Sequence, residues 1–282
     1  MEKIIIKKDE LNKIKKEYKK GSSLTTLSEK YPYSRDVIGF RLREIGLNLD
    51  HTKQIFVPKK GLFEKIKTEK EAYYLGLLFA DGYNNTDRYV IELTLIDEEV
   101  VKGFMYFIYG KKTTKKYIVR RGGYNKNGKP IYSVRICDKK ISLRLKKLGM
   151  VKAKSKILMF PKKIHKKYLK HFIRGYFDGD GSIWITKDKS KYNYKAFGFR
   201  ILGTEDICSN IGKYFCNNLH IPFSIRNNRT IKEMKICGNR QILNCLNHIY
   251  KGSKVKMKRK YRVYLKMKEI QKTKRQYIKR GD

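Results

Sequence analysis

The chain has 282 residues, enough for more than one compact unit, and its 68 Lys and Arg against 26 Asp and Glu give a formal net charge of +42. The surplus is spread along the chain, which points to a polyanionic partner held through salt-sensitive phosphate contacts. No apolar run is long enough to span a bilayer, the start MEKIIIKKDE is too short for a signal peptide, and the five Cys lack framework spacing. Membrane and disulfide-scaffold classes are thereby excluded, and a soluble protein of a reducing intracellular compartment (cytoplasm or organelle) is expected.

In chain order, residues 1–50 read as a small helical domain. Asp9 is expected to cap a helix carrying Leu11, Ile14 and Tyr18 at helical spacing and ending at Gly21. Leu24–Lys30 follows as a second helix, and Ser34 caps a third, Arg35–Ile45, with Val37, Ile38, Leu42 and Ile45 turned inward. Three short helices with a tight second turn resemble a helix-turn-helix, which makes Ser34, Arg35, Arg41 and Arg43 candidates to face a DNA groove. Residues 51–69 read as a linker punctuated by Pro58 and Gly61.

Beyond the linker the order of elements repeats. Residues 70–166 predict a helix, a hairpin, a helix capped by Asp97, a second hairpin and a closing helix that stops at Gly149. Residues 167–265 predict the same order, with Thr204 as the cap in the place of Asp97. Each half is αββαββα, giving an α+β fold with two four-stranded antiparallel sheets, each with one face open. The open faces are expected to carry Lys116, Arg120, Arg135, Arg200, Arg226 and Lys235 as contacts to DNA. Cys137 and Cys237 fall at equivalent places and are expected to be small core residues. Residues 266–282 form a basic extension that either covers the core, adds phosphate contacts or frays.

Two stretches carry the chemistry. Phe172–Ile185 reads FIRGYFDGDGSIWI and Ala72–Asn85 reads AYYLGLLFADGYNN, so that Gly76 matches Gly175, Asp81 matches Asp180 and Gly82 matches Gly181, each pair 99 residues apart. A second match, VRICDKK with MKICGNR at an offset of 100, argues for one unit occurring twice. The apolar stretches Tyr74–Ala80 and Ile173–Phe177 predict buried short helices. Gly76 and Gly175 would let two such helices approach closely, and Gly82 and Gly181 would be left-handed C-terminal residues. Side-by-side packing would then gather Asp81 and Asp180 at one end, where a negative charge is disfavoured unless it holds a hard cation.

These paired stretches resemble the motifs of the LAGLIDADG homing endonucleases of the single-chain, two-motif kind, over roughly Glu71 to Tyr264. The resemblance implies a saddle of sheets on double-stranded DNA, a monomer, and hydrolysis of both strands of a long asymmetric site. It implies Mg²⁺ or another divalent ion held by Asp81 and Asp180, with the adjoining Ala80 and Gly179. It also implies a basic residue near each scissile phosphate, for which Lys139 or Lys140 and Arg240 are the repeat-related candidates. Asp178 is secondary, because the repeat places Phe79 opposite it. The His residues lack metal-ligand spacing and no phosphate-cradling Gly loop occurs. Two other readings stand beside the nuclease: a DNA-binding regulator without catalysis, and a splicing helper that binds intron RNA on the same scaffold.

Overall fold

The computed structural model describes residues 6–20, 22–47, 49, 57–110, 118–121, 130–152, 154–186 and 195–279. The chain divides into two compact units, Met1–Phe56 and Val57–Asp282.

The first unit contains α1 (Lys8–Lys19), α2 (Leu24–Lys30) and α3 (Arg35–Glu44) around Ile14, Leu27, Ile38 and Leu42, all fully buried. Ser23 and Ser34 cap α2 and α3, their hydroxyls accepting from the backbone N–H of Thr26 (3.0 Å) and Val37 (3.3 Å). Two expectations fail here. Asp9 does not cap α1: Lys7 holds that position without a side-chain bond, and Asp9 lies in the first turn, where its charge still suits the helix dipole. Ile45 is exposed rather than inward, since α3 ends at Glu44 and Gly46, at φ +76°, turns the chain away.

The second unit holds two successive αββαββα halves. The first is α4 (Glu69–Asp81), β1 (Gly82–Asn85), β2 (Val90–Leu95), α5 (Glu98–Tyr109), β3 (Ile118–Arg121), β4 (Pro130–Cys137) and α6 (Lys139–Lys147). The second is α7 (Lys166–Asp180), β5 (Gly181–Ile185), β6 (Phe197–Gly203), α8 (Glu205–Leu219), β7 (Ser224–Asn228), β8 (Ile231–Ile236) and α9 (Asn239–Tyr250). The sheets run β1-β2-β4-β3 and β5-β6-β8-β7, antiparallel throughout, and their registers correspond: Gly82 faces Leu93, which faces Val134, as Gly181 faces Ile201, which faces Met234.

Strand alternation sorts each sheet into two faces. Ile91, Leu93, Val134 and Ile136 in one sheet, and Phe199, Ile201, Met234 and Ile236 in the other, are buried in a core shared with the helices. The same alternation corrects the reading of the cysteines. Positions 134, 136, 234 and 236 point inward, so Cys137 and Cys237 fall on the other side and are exposed. Thr204 caps α8, its hydroxyl accepting from the Ile207 N–H (3.3 Å). Asp97 stands at the cap position of α5 but makes no capping bond, because its carboxylate faces Arg259 (3.1 and 3.2 Å).

Both motif helices start earlier than their apolar stretches suggest. Thr68 caps α4 by accepting from the Glu71 N–H (3.2 Å), and the polar first turns of α4 and α7 carry no apolar signal. A further helix, α10 (Lys258–Lys279), runs across the 265/266 boundary. Its Lys260, Tyr264 and Met267 are buried, so the first part of the basic extension covers the core. Among the described residues no helix is long and apolar enough to cross a membrane.

Candidate active site

The site is made by the contact of α4 with α7. A Cβ on Gly76 would overlap the carbonyl oxygen of Phe172, and one on Gly175 would overlap that of Tyr73. Each glycine thus sits on the carbonyl three residues before its counterpart, a two-fold arrangement that only a bare backbone permits. At the C-terminal ends, a Cβ on Gly179 would collide with the Ala80 methyl and approach Asp81 Oδ2 to 2.6 Å. Asp81 and Asp180 therefore end adjoining turns, as the sequence leads one to expect of a side-by-side pair.

The glycines after them behave otherwise than expected. Gly82 (φ −79°, ψ 159°) and Gly181 (φ −89°, ψ 161°) are extended, not left-handed, so each helix passes straight into a strand. Glycine is needed there for room. A side chain at Gly82 would strike the Leu78 carbonyl, and one at Gly181 would strike the Phe177 ring.

Two lysines that the sequence reading missed complete the ends. Lys154 Nζ donates to the carbonyl oxygens of Phe79 (2.6 Å) and Ala80, and Lys260 Nζ donates to those of Phe177 (2.6 Å), Asp178 (2.7 Å) and Gly179 (3.2 Å). Phe79 and Ala80 match Asp178 and Gly179 in the repeat. Each ammonium thus satisfies the orphan carbonyls of one motif helix at the negative end of its dipole. The lysines come from different elements, a 3₁₀ turn (Lys154–Lys156) and the first turn of α10, so no repeat pattern singles them out among neighbouring lysines.

The four charges act on one another. Burial and then the neighbouring Asp180 push Asp81 up to about 6, against the pull of Lys154 and Lys260. Burial also raises Asp180, opposed chiefly by the two ammoniums. Burial lowers Lys154, and lowers Lys260 to about 8, while the carboxylates pull both back upward. A cavity of about 170 Å³ lies beside Asp180, bordered by Lys154, Tyr176 and Thr204.

The donor set suits a hard divalent ion in part. Two carboxylates are at hand, an oxygen set of the kind Mg²⁺ takes together with several waters. The carbonyls of Ala80 and Gly179 already accept from lysines, which leaves each only its second lone pair. Among the described residues no group of three or more His, Cys, Asp or Glu could hold a metal.

Asp178 faces a different environment. It is fully buried and accepts from Tyr250 Oη (2.7 Å), Tyr73 Oη (2.8 Å) and the Met257 N–H (2.7 Å). One turn earlier, buried Arg174 donates to Glu69 (2.7 Å) and to the carbonyls of Ile249 and Val255 (both 2.9 Å). The His171 imidazole, held down at about 4 by burial and by this guanidinium, is neutral and takes another Arg174 bond (2.8 Å). Asp178 and Arg174 thus tie the segment after α9 to α7.

Lys139, Lys140 and Arg240 lie elsewhere. They open α6 and α9, at the hairpin ends of the sheets, where Cys137 faces Val90 and the Asn239 side chain accepts from the Phe197 N–H. Lys139 stands over the Tyr89 ring (5.4 Å). At about 3.3 Å per strand residue, this is roughly 15 Å along the sheet from Gly82.

On the open faces, Arg135 is exposed and paired with Glu92 (3.4 Å), and Arg226 is exposed opposite Glu233. Arg200 and Lys235 face each other directly across the strands, Arg200 also reaching Glu233 (3.2 Å) and lying over the Trp184 ring (5.5 Å). Lys116 and the side chain of Arg120 lie outside the described residues. In the N-terminal unit Ser34 is spent on its cap and Arg41 pairs with Glu44 (2.7 Å), while Arg35 and Arg43 are exposed.

No protein-family model matches the chain, and no curated protein matches it. Solved structures resemble it at low identity. A double mutant of I-SmaMI is 12% identical, with TM-score 0.49, covering 72% of this chain and 92% of that one. The LAGLIDADG meganuclease I-AabMI bound to uncleaved DNA is 12% identical, with TM-score 0.48 and coverage of 72% and 91%. The N-terminal LAGLIDADG domain of DUF199/WhiA is 17% identical, with TM-score 0.44 and coverage of 77% and 98%. These identities are too low for an activity to be carried across.

Proposed function

We propose that the chain is a divalent-metal-dependent endonuclease that cuts both strands of a long, asymmetric double-stranded DNA site. One observation carries this reading: two carboxylates from repeat-related positions stand together at the ends of closely packed helices, each helix end held by a lysine. Asp81 and Asp180 would hold Mg²⁺, which when bound activates water and stabilises the leaving oxygen.

The chain's own residues do the rest. Lys154 and Lys260 keep positive charge beside the carboxylates, where a phosphate must come close, and hold the helix ends that aim Asp81 and Asp180. They replace Lys139, Lys140 and Arg240 as the proposed basic partners because they adjoin the acids. The open sheet faces would follow the DNA. Like charges directly across a strand pair are unfavourable, and Arg200 opposite Lys235 is eased by a phosphate between them. The N-terminal unit supports a helix-turn-helix reading in which Arg35 and Arg43 meet DNA. Both acids belong to one chain, so a monomer suffices.

The test is cleavage of a library of the flanking genomic DNA with Mg²⁺ or Ca²⁺, beside the double variant Asp81→Asn/Asp180→Asn. Mg²⁺-dependent double-strand cuts at one locus, lost in the variant, are expected. Tight binding without cutting, equal in both proteins, would overturn the nuclease reading and favour a regulator. Binding of intron RNA in preference to DNA would favour a splicing helper.

A further inference from the structure

A larger cavity, of about 600 Å³, opens beside the N-terminal half of α4, bordered by α5 and by residues 254–258. Lys70 precedes Asp81 by eleven residues, so at 1.5 Å per residue this cavity lies about 16 Å along α4 from the carboxylates. Its volume is that of a small-molecule site.

The lining is chemically lopsided. Lys59, Lys70, Lys254, Lys256 and Lys258 border it against a single acid, Glu99. Lys256 is partly engaged, donating to the Ser253 carbonyl (2.7 Å), while Lys59, Lys70, Lys254 and Lys258 are exposed. The inner wall is aromatic, with Tyr74 and Phe107 rings 5.0 Å apart. Tyr74 is only 3% exposed, and among the described residues its hydroxyl has no hydrogen-bond partner. That hydroxyl lies over Gly103, where a Cβ would come within 2.6 Å of it, and both residues line the cavity. The hydroxyl is not sealed from solvent, so it opens into the cavity, where an acceptor on a ligand can take its hydrogen bond.

We propose that this cavity binds a nucleoside phosphate, either free or as the end of a nucleic-acid strand. The planar ring lies against the Tyr74–Phe107 wall, with an acceptor for the Tyr74 hydroxyl. The phosphate meets the lysines, and Glu99 accepts from a sugar hydroxyl. No part of this arrangement uses Asp81 or Asp180, so it stands whether or not the chain cleaves DNA.

The test is equilibrium dialysis of the full chain at physiological salt against AMP, with inorganic phosphate and a short 5′-phosphorylated single strand as further arms. Saturable AMP binding is expected, at least tenfold weaker in Lys254→Glu/Lys258→Glu and several-fold weaker in Tyr74→Phe, with thermal midpoints near that of the parent. A control with the same charge change elsewhere, Lys162→Glu/Lys163→Glu, should bind AMP like the parent. A single strand that displaces AMP mole for mole would assign the site to strand ends, and one that does not would assign it to free nucleotide. Absence of saturable AMP binding, phosphate binding as tight as AMP, or equal loss in the control would overturn the proposal.

Discussion

The two halves of the larger unit reach the same backbone geometry by different chemistry. Around α4 the support is apolar: Leu75 and Phe79 are fully buried, with Phe79 edge-on to Phe172 (5.3 Å). At the matching positions of α7 stand Arg174 and Asp178, equally buried but bound to Glu69, Tyr73, Tyr250 and the segment before α10. The seam between the helices stays symmetric, glycine on carbonyl in both directions. What must be alike is the glycine-on-carbonyl approach; the side chains packed around it, some of them reaching across to the other helix, are free to differ.

The sharpest way to break this comparison is at the seam. Gly76→Ala and Gly175→Ala should each abolish cleavage and destabilise by at least about 1–3 kcal/mol, since a backbone oxygen cannot yield as a side chain can. Urea midpoints would show similar losses for the two; a silent variant on either side would refute the symmetric seam.

Around the seam the halves should diverge. Asp178→Leu leaves two tyrosine hydroxyls and the Met257 N–H without an acceptor, an expected cost of about 2–5 kcal/mol by denaturant titration. Phe79→Leu, its repeat counterpart, keeps an apolar side chain and should cost less, about 1–1.5 kcal/mol.

The lysines sharpen the contrast further. Lys260 is 5% exposed whereas Lys154 is half-buried, so Lys260→Met should lower stability by about 1–3 kcal/mol and Lys154→Met by about 1 kcal/mol or less. Both should reduce the rate of cleavage, each mainly on one strand, as read from nicked intermediates on a supercoiled substrate.

The smallest effect concerns pH. A metal ion displaces protons from its ligands, and the Asp81 carboxyl is pushed up to about 6. Above pH 6 that carboxyl is free to bind and metal affinity is nearly level. Below it, each unit of pH should weaken the affinity up to tenfold per protonated ligand, as measured by Ca²⁺ titration. Asp180→Asn removes one raising influence on Asp81 and should move the break to lower pH.

Much of this was legible in the chain. Two glycines and two acids at one offset specified the helix pair, and alternation with turn residues specified two αββαββα halves. The placing of Arg135, Arg200, Arg226 and Lys235 away from the core follows from the same alternation, which, applied strictly past Ile136 and Ile236, also turns Cys137 and Cys237 outward. Other features needed the folded chain. Gly82 and Gly181 are small because Leu78 and Phe177 crowd them, a contact with no local signature. Lys154 and Lys260 look like every other lysine near them, and only tertiary packing brings them to the helix ends. The repeat, by placing Phe79 opposite Asp178, already sets that acid apart from Asp180, but its burial against Tyr73, Tyr250 and the Met257 N–H needed the folded chain.

Ala80 and Gly179 fill matching places, yet a methyl on Gly179 would collide with the one on Ala80. Two copies of the first half could not close against each other at that point, because both would bring the methyl. Whatever duplication produced the repeat, the halves have since become mates rather than copies: exchanging one for the other would jam the joint that holds the acids side by side.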